Sequence, residues 1–540
     1  MEMRKIQTLF IGIGLVAAIV VVATAICERG HNAQPDATEY SFPETQYGAF
    51  LAAQHAIYVN DFENAARFSA TLTDTEHAVV QNTKLISEFL NGKLPDAANV
   101  LKNEKNAAAQ LIYDAYLVNG GAWKELYNRH GRDEAALSAP FRIWSAVATN
   151  RRDNAFRYIK KLKTNPSWQS FVRGQIYATC GDVENAAKEF AAVDIDFINI
   201  NDYVYLMSFY RNNDLPDAAT KLHDEFTARP GGMFLAGFDD FPGWDTFSGY
   251  KNALAFSLVQ SVSHTQVMMY SDLAVMLLRF AQITAPEYGK NDAIDYYLGQ
   301  YFFHNSGNWH THFNKINRAS PFYSFAAMRR AEGENNINLM RQIVDENPLF
   351  VTALNKLIAH YVKTGDMNSA IKVINRALEN ENISDTAHAF FLKGRAQIYL
   401  VFQEYTNAQA DIRAAADVLA PDPEIVSIQA KIWAAQNREI ENAYDYAMAL
   451  IRQNPTDVMA WDTLGCVVLA REGIDAAIDI WARVGDATGT NSGLFEHLGD
   501  AYVAVGDAEL ARDAYMRAIA LADDGFTVVP RVENKLRKLK

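Results

Sequence analysis

A pattern of small and large residues returns along this chain at close to one fixed interval. Between Phe171 and Val193 it sets Gly174, Tyr177, Gly181, Ala186, Phe190 and Val193 at offsets 0, 3, 7, 12, 16 and 19. Ile358, Tyr361, Gly365, Ala370, Ile374 and Ala377 keep the same offsets, as do Gly499, Tyr502, Gly506, Ala511, Tyr515 and Ala518. Gly465, Val468, Ala477, Trp481 and Val484 follow it too, after an opening of Trp461 and Leu464. The spacing predicts paired helices. A small residue at the first offset lets helix A approach helix B, and the alanine twelve positions on is the expected point of contact. Large side chains at the other offsets fill the space to the next pair. A chain patterned in this way folds as stacked helical hairpins rather than as one compact core.

The helix-B alanine marks the array as Ala65, Ala97, Ala155, Ala186 and Ala218, then Ala370, Ala408, Ala443, Ala477 and Ala511. Pro166, Pro348 and Pro455 fall where one hairpin must end and the next begin. These residues resemble the tetratricopeptide repeat, whose unit of about 34 residues carries this pattern. The resemblance implies an all-α fold, a right-handed α-solenoid of hairpins in two blocks, whose A helices line a concave groove that contacts peptides. By that resemblance the groove positions are Trp168, Phe171, Gln175, Asn355, Lys356, Ala359, Asp462, Thr463, Glu496, His497 and Asp500. The last of these are acidic and the middle ones mixed, so a basic or mixed peptide is the expected partner.

Boundaries follow from where the pattern holds. Residues 47–228 form a first block and 348–521 a second. Between them, 229–347 reads as degenerate helical repeats that open on an aromatic, acidic loop (231–250), with helical patterns near Lys251 and over Tyr270–Ala281, Ile294–Phe303 and Phe322–Ala331. Residues 522–540 read as a basic cap over the last hairpin.

The first 29 residues address a membrane. Arg4 and Lys5 precede an apolar run from Leu9 to Cys27, long enough at 1.5 Å per residue to cross roughly 28 Å of hydrocarbon. Two readings stand: an uncleaved anchor, favoured by length, and a cleaved signal peptide with Ala23-Thr24-Ala25 as its small-x-small site. Ile26 is too large for a lipidation site at Cys27. Basic residues before the run and acidic ones after it predict a single pass of the inner membrane with the bulk in a periplasm, or a periplasmic protein if the signal is cut. Gly30–Gln46 reads as a flexible tether. With that leader, the plan is similar to the long exported tetratricopeptide proteins of Gram-negative bacteria.

Composition limits the function. With 50 Lys and Arg against 64 Asp and Glu, the net charge is −14, which excludes a general nucleic-acid binder. Glycine (29) and proline (15) are too scarce for a many-stranded fold. Three cysteines, Cys27, Cys180 and Cys466, build no disulfide framework, and the last two are expected as packed thiols. No metallopeptidase, nucleophile-elbow, phosphate-loop or dinucleotide motif occurs. His304, His310 and His312 make a weak metal candidate, Asp239 and Asp240 a weak acid–base pair. Phe234, Phe238, Phe241, Trp244 and Phe247 are expected to pack under their loop or to anchor a partner. No catalytic residue, metal site or cofactor is assigned. The expected function is a non-enzymatic protein–protein scaffold of the bacterial cell envelope, serving assembly, secretion or maintenance. The alternative is a metal- or glycan-binding envelope protein using the central segment.

Overall fold

A computed structural model describes residues 43–539 other than 44, 74–76, 105, 134–137, 237–248, 266–270, 286, 306 and 382. The apolar run Leu9–Cys27 and most of the tether lie outside the described residues, as do Asp239, Asp240, Phe238, Phe241, Trp244 and Phe247. Among the described residues there is no strand, and no helix is long and apolar enough to cross a membrane.

The chain packs as two units. The first takes in the described residues up to Ala218 and those of 242–326; the second takes in those of 219–241 and all those from Ala327 on. Of the described residues of 229–347, those up to 241 fall in the second unit, those of 242–326 in the first, and those from Ala327 on in the second again.

In chain order the helices up to residue 227 are α1 (Gln46–Tyr58), α2 (Phe62–Ser69), α3 (Ala78–Leu90), α4 (Ala107–Asn119), α5 (Trp123–His130), α6 (Ala139–Ala148), α7 (Arg152–Lys161), α8 (Pro166–Thr179), α9 (Val183–Phe190), α10 (Ile200–Asn212) and α11 (Pro216–Thr227). Then come α12 (Tyr250–Ser263), α13 (Asp272–Thr284), α14 (Asp292–His304), α15 (His310–Phe313), α16 (Tyr323–Gly333) and α17 (Ile337–Glu346). The second unit continues with five hairpins: α18 (Val351–Thr364) and α19 (Met367–Leu378), α20 (Asp385–Val401) and α21 (Tyr405–Leu419), α22 (Pro423–Ala435) and α23 (Ile440–Gln453), α24 (Val458–Arg471) and α25 (Ile474–Thr488), α26 (Ser492–Val505) and α27 (Ala508–Leu521). A last helix, α28 (Val529–Lys538), ends it.

The turn inside each hairpin has a chemical cause. Gly365 and Gly506 leave α18 and α26 with φ of 82° and 87°, a left-handed conformation that glycine adopts without strain. The aspartate directly after each then caps the next helix. Asp366 accepts the Ser369 N–H and Asp507 the Leu510 N–H, both at 3.0 Å. In α2 the same turn is made by Asn60 and Asp61.

The close approach between paired helices differs in one respect from the pattern's reading. A Cβ on Gly174, Gly465 or Gly499 would run into the ring of Phe190, Trp481 or Tyr515 respectively. The small residue thus seats the aromatic sixteen positions on, not the alanine at twelve. Eight of the ten marker alanines are nonetheless buried; the other two are one residue off, since Ala98 and Ala219 are buried in place of Ala97 and Ala218. One hairpin, α4–α5, escaped the pattern because its contact is polar. Asp114 stands at the first offset and His130 at the sixteenth. Buried Asp114 accepts from Arg129 Nε and meets His130 Nε2, each at 2.7 Å, while Leu126 replaces the alanine.

In the first unit, α12 and α13 lie along the A helices: α12 on α6, α8 and α10, and α13 on α3 and α4. Phe256 stacks on Phe171 (centroids 5.9 Å apart, 8° between planes), Trp144 donates to Ser257 at 2.8 Å, and Arg279 Nε donates to Leu90 O at 2.8 Å. The chain thus fills this inner face with its own helices.

Candidate functional site

Burial sorts the expected groove residues by unit. On α8, Trp168 is half-buried, while Phe171 and Gln175 are fully buried beneath α12 and beside Tyr205. They are core, because the helices of 250–284 occupy the place expected for a peptide. In the second unit Asn355 is exposed and Lys356 pairs with Glu332. Thr463 is buried, donating to Met459 O and sharing a 2.7 Å hydrogen bond with Ser427. It ties one A helix to the next.

Asp462, Glu496, His497 and Asp500 do come together. They line a cavity of about 560 Å³ walled by the inner faces of α20, α22, α24 and α26 and by residues 526–531. Such a volume falls within the range of small-ligand and side-chain pockets. Lys431, Cys466 and Arg531 share this wall and were not singled out by the pattern. A signal for two of them exists. Lys431, Cys466 and Asp500 directly follow Ala430, Gly465 and Gly499, so they occupy one register position on successive A helices.

Asp462 is the hub of the wall. Only 2% exposed, it takes Lys431 Nζ on Oδ2 at 2.6 Å, and on Oδ1 it meets His497 Nδ1 at 2.9 Å and the Trp481 indole N–H at 3.1 Å. Burial opposes its ionisation, but Lys431 and His497 outweigh burial and hold its carboxyl well below the usual carboxylate range. Burial likewise opposes the charged imidazole of His497, yet the Cys466 sulfur and the Asp462 carboxylate push its pKa well above the ordinary value. Its ring lies over Trp481, with centroids 5.5 Å apart, and Cys466 Sγ stands 3.7 Å from Nδ1. Cys466 is half-buried, packed against the core around Trp481 and Leu494 while lining the cavity, whereas Cys180 is exposed and not the packed thiol expected.

A second charged group lies beside the first. Glu496, 4% exposed, accepts both Nε and Nη2 of Arg531 at 2.7 and 2.8 Å, and Lys535 at 3.0 Å. Burial would raise its pKa; the two cations lower it. Lys535 also donates to Asp500 at 2.6 Å, and Asp500 accepts the Tyr515 hydroxyl at 2.7 Å. Both cations come from α28, so the basic end reaches into the groove wall as well as capping the last hairpin through Val532 on Ala511 and Tyr515.

That same end returns to the first hairpins. Arg531 Nη1 donates to Val401 O at 2.6 Å, Lys363 pairs with Asp523 at 2.7 Å, and Val528 packs with Val362 and Val401. Residues 522–531 thereby strap the last hairpin of the second unit to its first two.

The central histidines do not converge. His312 is buried with Nδ1 on Asp295 at 2.7 Å and its ring on Phe302, while His310 stacks on Trp309. Among the described residues, the group of three metal-capable side chains is Asp462, Cys466 and His497. Phe234 is buried against Phe350, as one of the two expectations for the aromatic loop had it.

The hairpin that carries Glu496, His497 and Asp500 decides what the array is similar to. Residues 493–524 match the tetratricopeptide repeat family. The matched stretch spans α26 and α27. No curated protein matches the chain. Similar solved structures include a tetratricopeptide repeat protein from Parabacteroides merdae (14% identity, TM-score 0.32, covering 54% of this chain and 98% of that one). They also include the Cut9–Hcn1 hetero-tetramer of the APC/C (12%, 0.32, 91% and 96%) and YrrB, described as a TPR protein with an unusual peptide-binding site (17%, 0.21, 37% and 98%). Scores this low fix neither a partner nor an activity.

Proposed function

We propose that this chain is a non-enzymatic protein-binding scaffold whose second unit receives a segment bearing arginine or lysine on its inner wall. One observation carries the reading: carboxylates at successive register positions of α26, Glu496 and Asp500, hold Arg531 and Lys535 of the chain's own last helix. Charge-assisted pairs of this geometry give orientation as well as affinity. The neighbouring wall, with exposed Leu469 and the side chains of Gln397 and Tyr405, adds apolar and amide surface around the cavity. The first unit is assigned no such role, since its inner face is covered by α12 and α13.

The cell envelope is the proposed setting, with the bulk in a periplasm. The support is the apolar run Leu9–Cys27, flanked by Arg4 and Lys5 before it and by acidic residues after it.

Photo-crosslinking in the native cell tests both parts. A crosslinking residue placed at Leu469 should capture a discrete protein, joined through a lysine- or arginine-rich segment and recovered with the membrane or periplasmic fraction. One placed at exposed Met516 on α27, away from the cavity lining, should not. Equal capture from both positions would refute the inner wall as the binding face, and capture of cytosolic proteins alone would refute the envelope setting.

A further inference from the structure

The wall of the second unit offers a cluster whose chemistry a basic peptide does not explain. Asp462, Cys466 and His497 present one oxygen, one sulfur and one nitrogen, all within 4.8 Å of one another. We propose that these three side chains form a binding site for one divalent transition-metal ion of the zinc type, with its fourth position open to the cavity.

Edge lengths support this. Four-coordinate zinc holds nitrogen and oxygen at about 2.0–2.2 Å and sulfur at about 2.3 Å, so tetrahedral edges are about 3.3 Å for N···O and about 3.5 Å for N···S. The corresponding separations are 2.9 Å (His497 Nδ1 to Asp462 Oδ1) and 3.7 Å (His497 Nδ1 to Cys466 Sγ). Shifts of a few tenths of an ångström bring both onto the metal's edges. A single proton on Nδ1 serves only one of its two neighbours at a time, whereas a cation between the three serves all of them. Mixed N, S and O donors suit a borderline-soft ion, and neither magnesium nor calcium takes thiolate.

The surroundings hold the donors in place. Trp481 donates to Asp462 Oδ1 and lies under the His497 ring, and Lys431 occupies Oδ2, leaving Oδ1 turned toward the other two donors. The cavity of about 560 Å³ provides an entry path and room for a water or a partner's side chain as fourth ligand. Lys431 opposes the bound cation and so limits affinity. The remaining charges at this wall, Glu496 with Arg531 and Lys535, already neutralise one another in part.

Titration of the full chain with Co²⁺ and Zn²⁺ tests the site. The expected result is one Co²⁺ per chain with a thiolate-to-cobalt charge-transfer band, displaced by Zn²⁺. Cys466→Ser should abolish the band and weaken binding by about a hundredfold or more, while Cys180→Ser leaves both unchanged. Lys431→Met should tighten binding by about tenfold or more, because it removes a like charge a few ångströms from the ion. Should Cys466→Ser fail to fold, the wild-type spectrum decides: a bound cobalt without sulfur charge transfer overturns the proposal. No binding at micromolar ion, or binding indifferent to Cys466→Ser, overturns it equally.

Discussion

At the scale of single residues, the array rests on glycines that accept an aromatic ring. Gly174 on α8 leaves no room for a methyl group beside Phe190, which is 2% exposed. Gly174→Ala is expected to cost about 1–3 kcal/mol through overpacking, read from urea unfolding. With aliphatic Ile412 at offset sixteen of α20–α21, the first offset carries an alanine, Ala396. The double variant Gly174→Ala with Phe190→Leu should therefore lose less than the sum of its parts, and an additive result would refute the contact. This contact was half legible in the sequence. Spacing placed both partners of the hairpin, but spacing alone cannot say whether the glycine faces the residue at twelve or at sixteen. Asp114 shows why α4–α5 was not legible at all: a buried ion pair with Arg129 replaces the apolar contact, and no apolar pattern registers it.

Elements repeat the device with a charge added. Arg173 pairs with Glu189 across α8–α9, and Arg395 with Asp411 across α20–α21, each bidentate and each sixteen residues apart. The same fork appears between α28 and α26, where Arg531 meets nearly buried Glu496. Removing one member of a buried pair typically costs about 3–5 kcal/mol; with Lys535 still in place, Arg531→Met should cost roughly 2–4 kcal/mol in urea unfolding. Glu496→Gln in the same chain should recover part of that loss, and full additivity of the two would sink the pairing. The basic end was legible as a cap. Its reach to Val401 and Lys363 was not, because those contacts join residues more than 120 positions apart in the chain. The part of Lys431 and Cys466 in the cavity wall went unread for a different reason: their partners, 31 positions on, lie on the adjacent A helices and not in their own segment.

For the molecule as a whole, two units with separate interiors predict separable responses to pH. In the first, His264 sits against Asp202, which is fully buried and also accepts from Gln260 at 2.8 Å. Burial works against charge on His264, but Asp202 outweighs it and raises the imidazole pKa. A raised folded pKa gives stability that is fully present below the unfolded value of about 6.5 and fades as pH rises through the folded one. The melting temperature of His264→Gln should thus fall furthest below wild type at about pH 6 and approach it toward about pH 9. A gap constant with pH, or one widening toward alkali, would contradict that linkage. The hairpin fold was foreseeable from the repeat, whereas the filling of the first unit's inner face was not. Helices α12 and α13 carry apolar residues on most sides, and only their burial against α6, α8, α3 and α4 accounts for it.

The strap of residues 522–531 has an evolutionary consequence. Open repeat arrays lengthen by duplicating a hairpin, since each unit touches only its neighbours. Here Val528, Asp523 and Arg531 fasten the last hairpin to α18 and α20, so an inserted copy would have to tear that fastening before it brought any gain. A tied ring of five cannot drift to six by small steps, which makes its circumference, and with it the span of the pocket it encloses, a fixed inheritance.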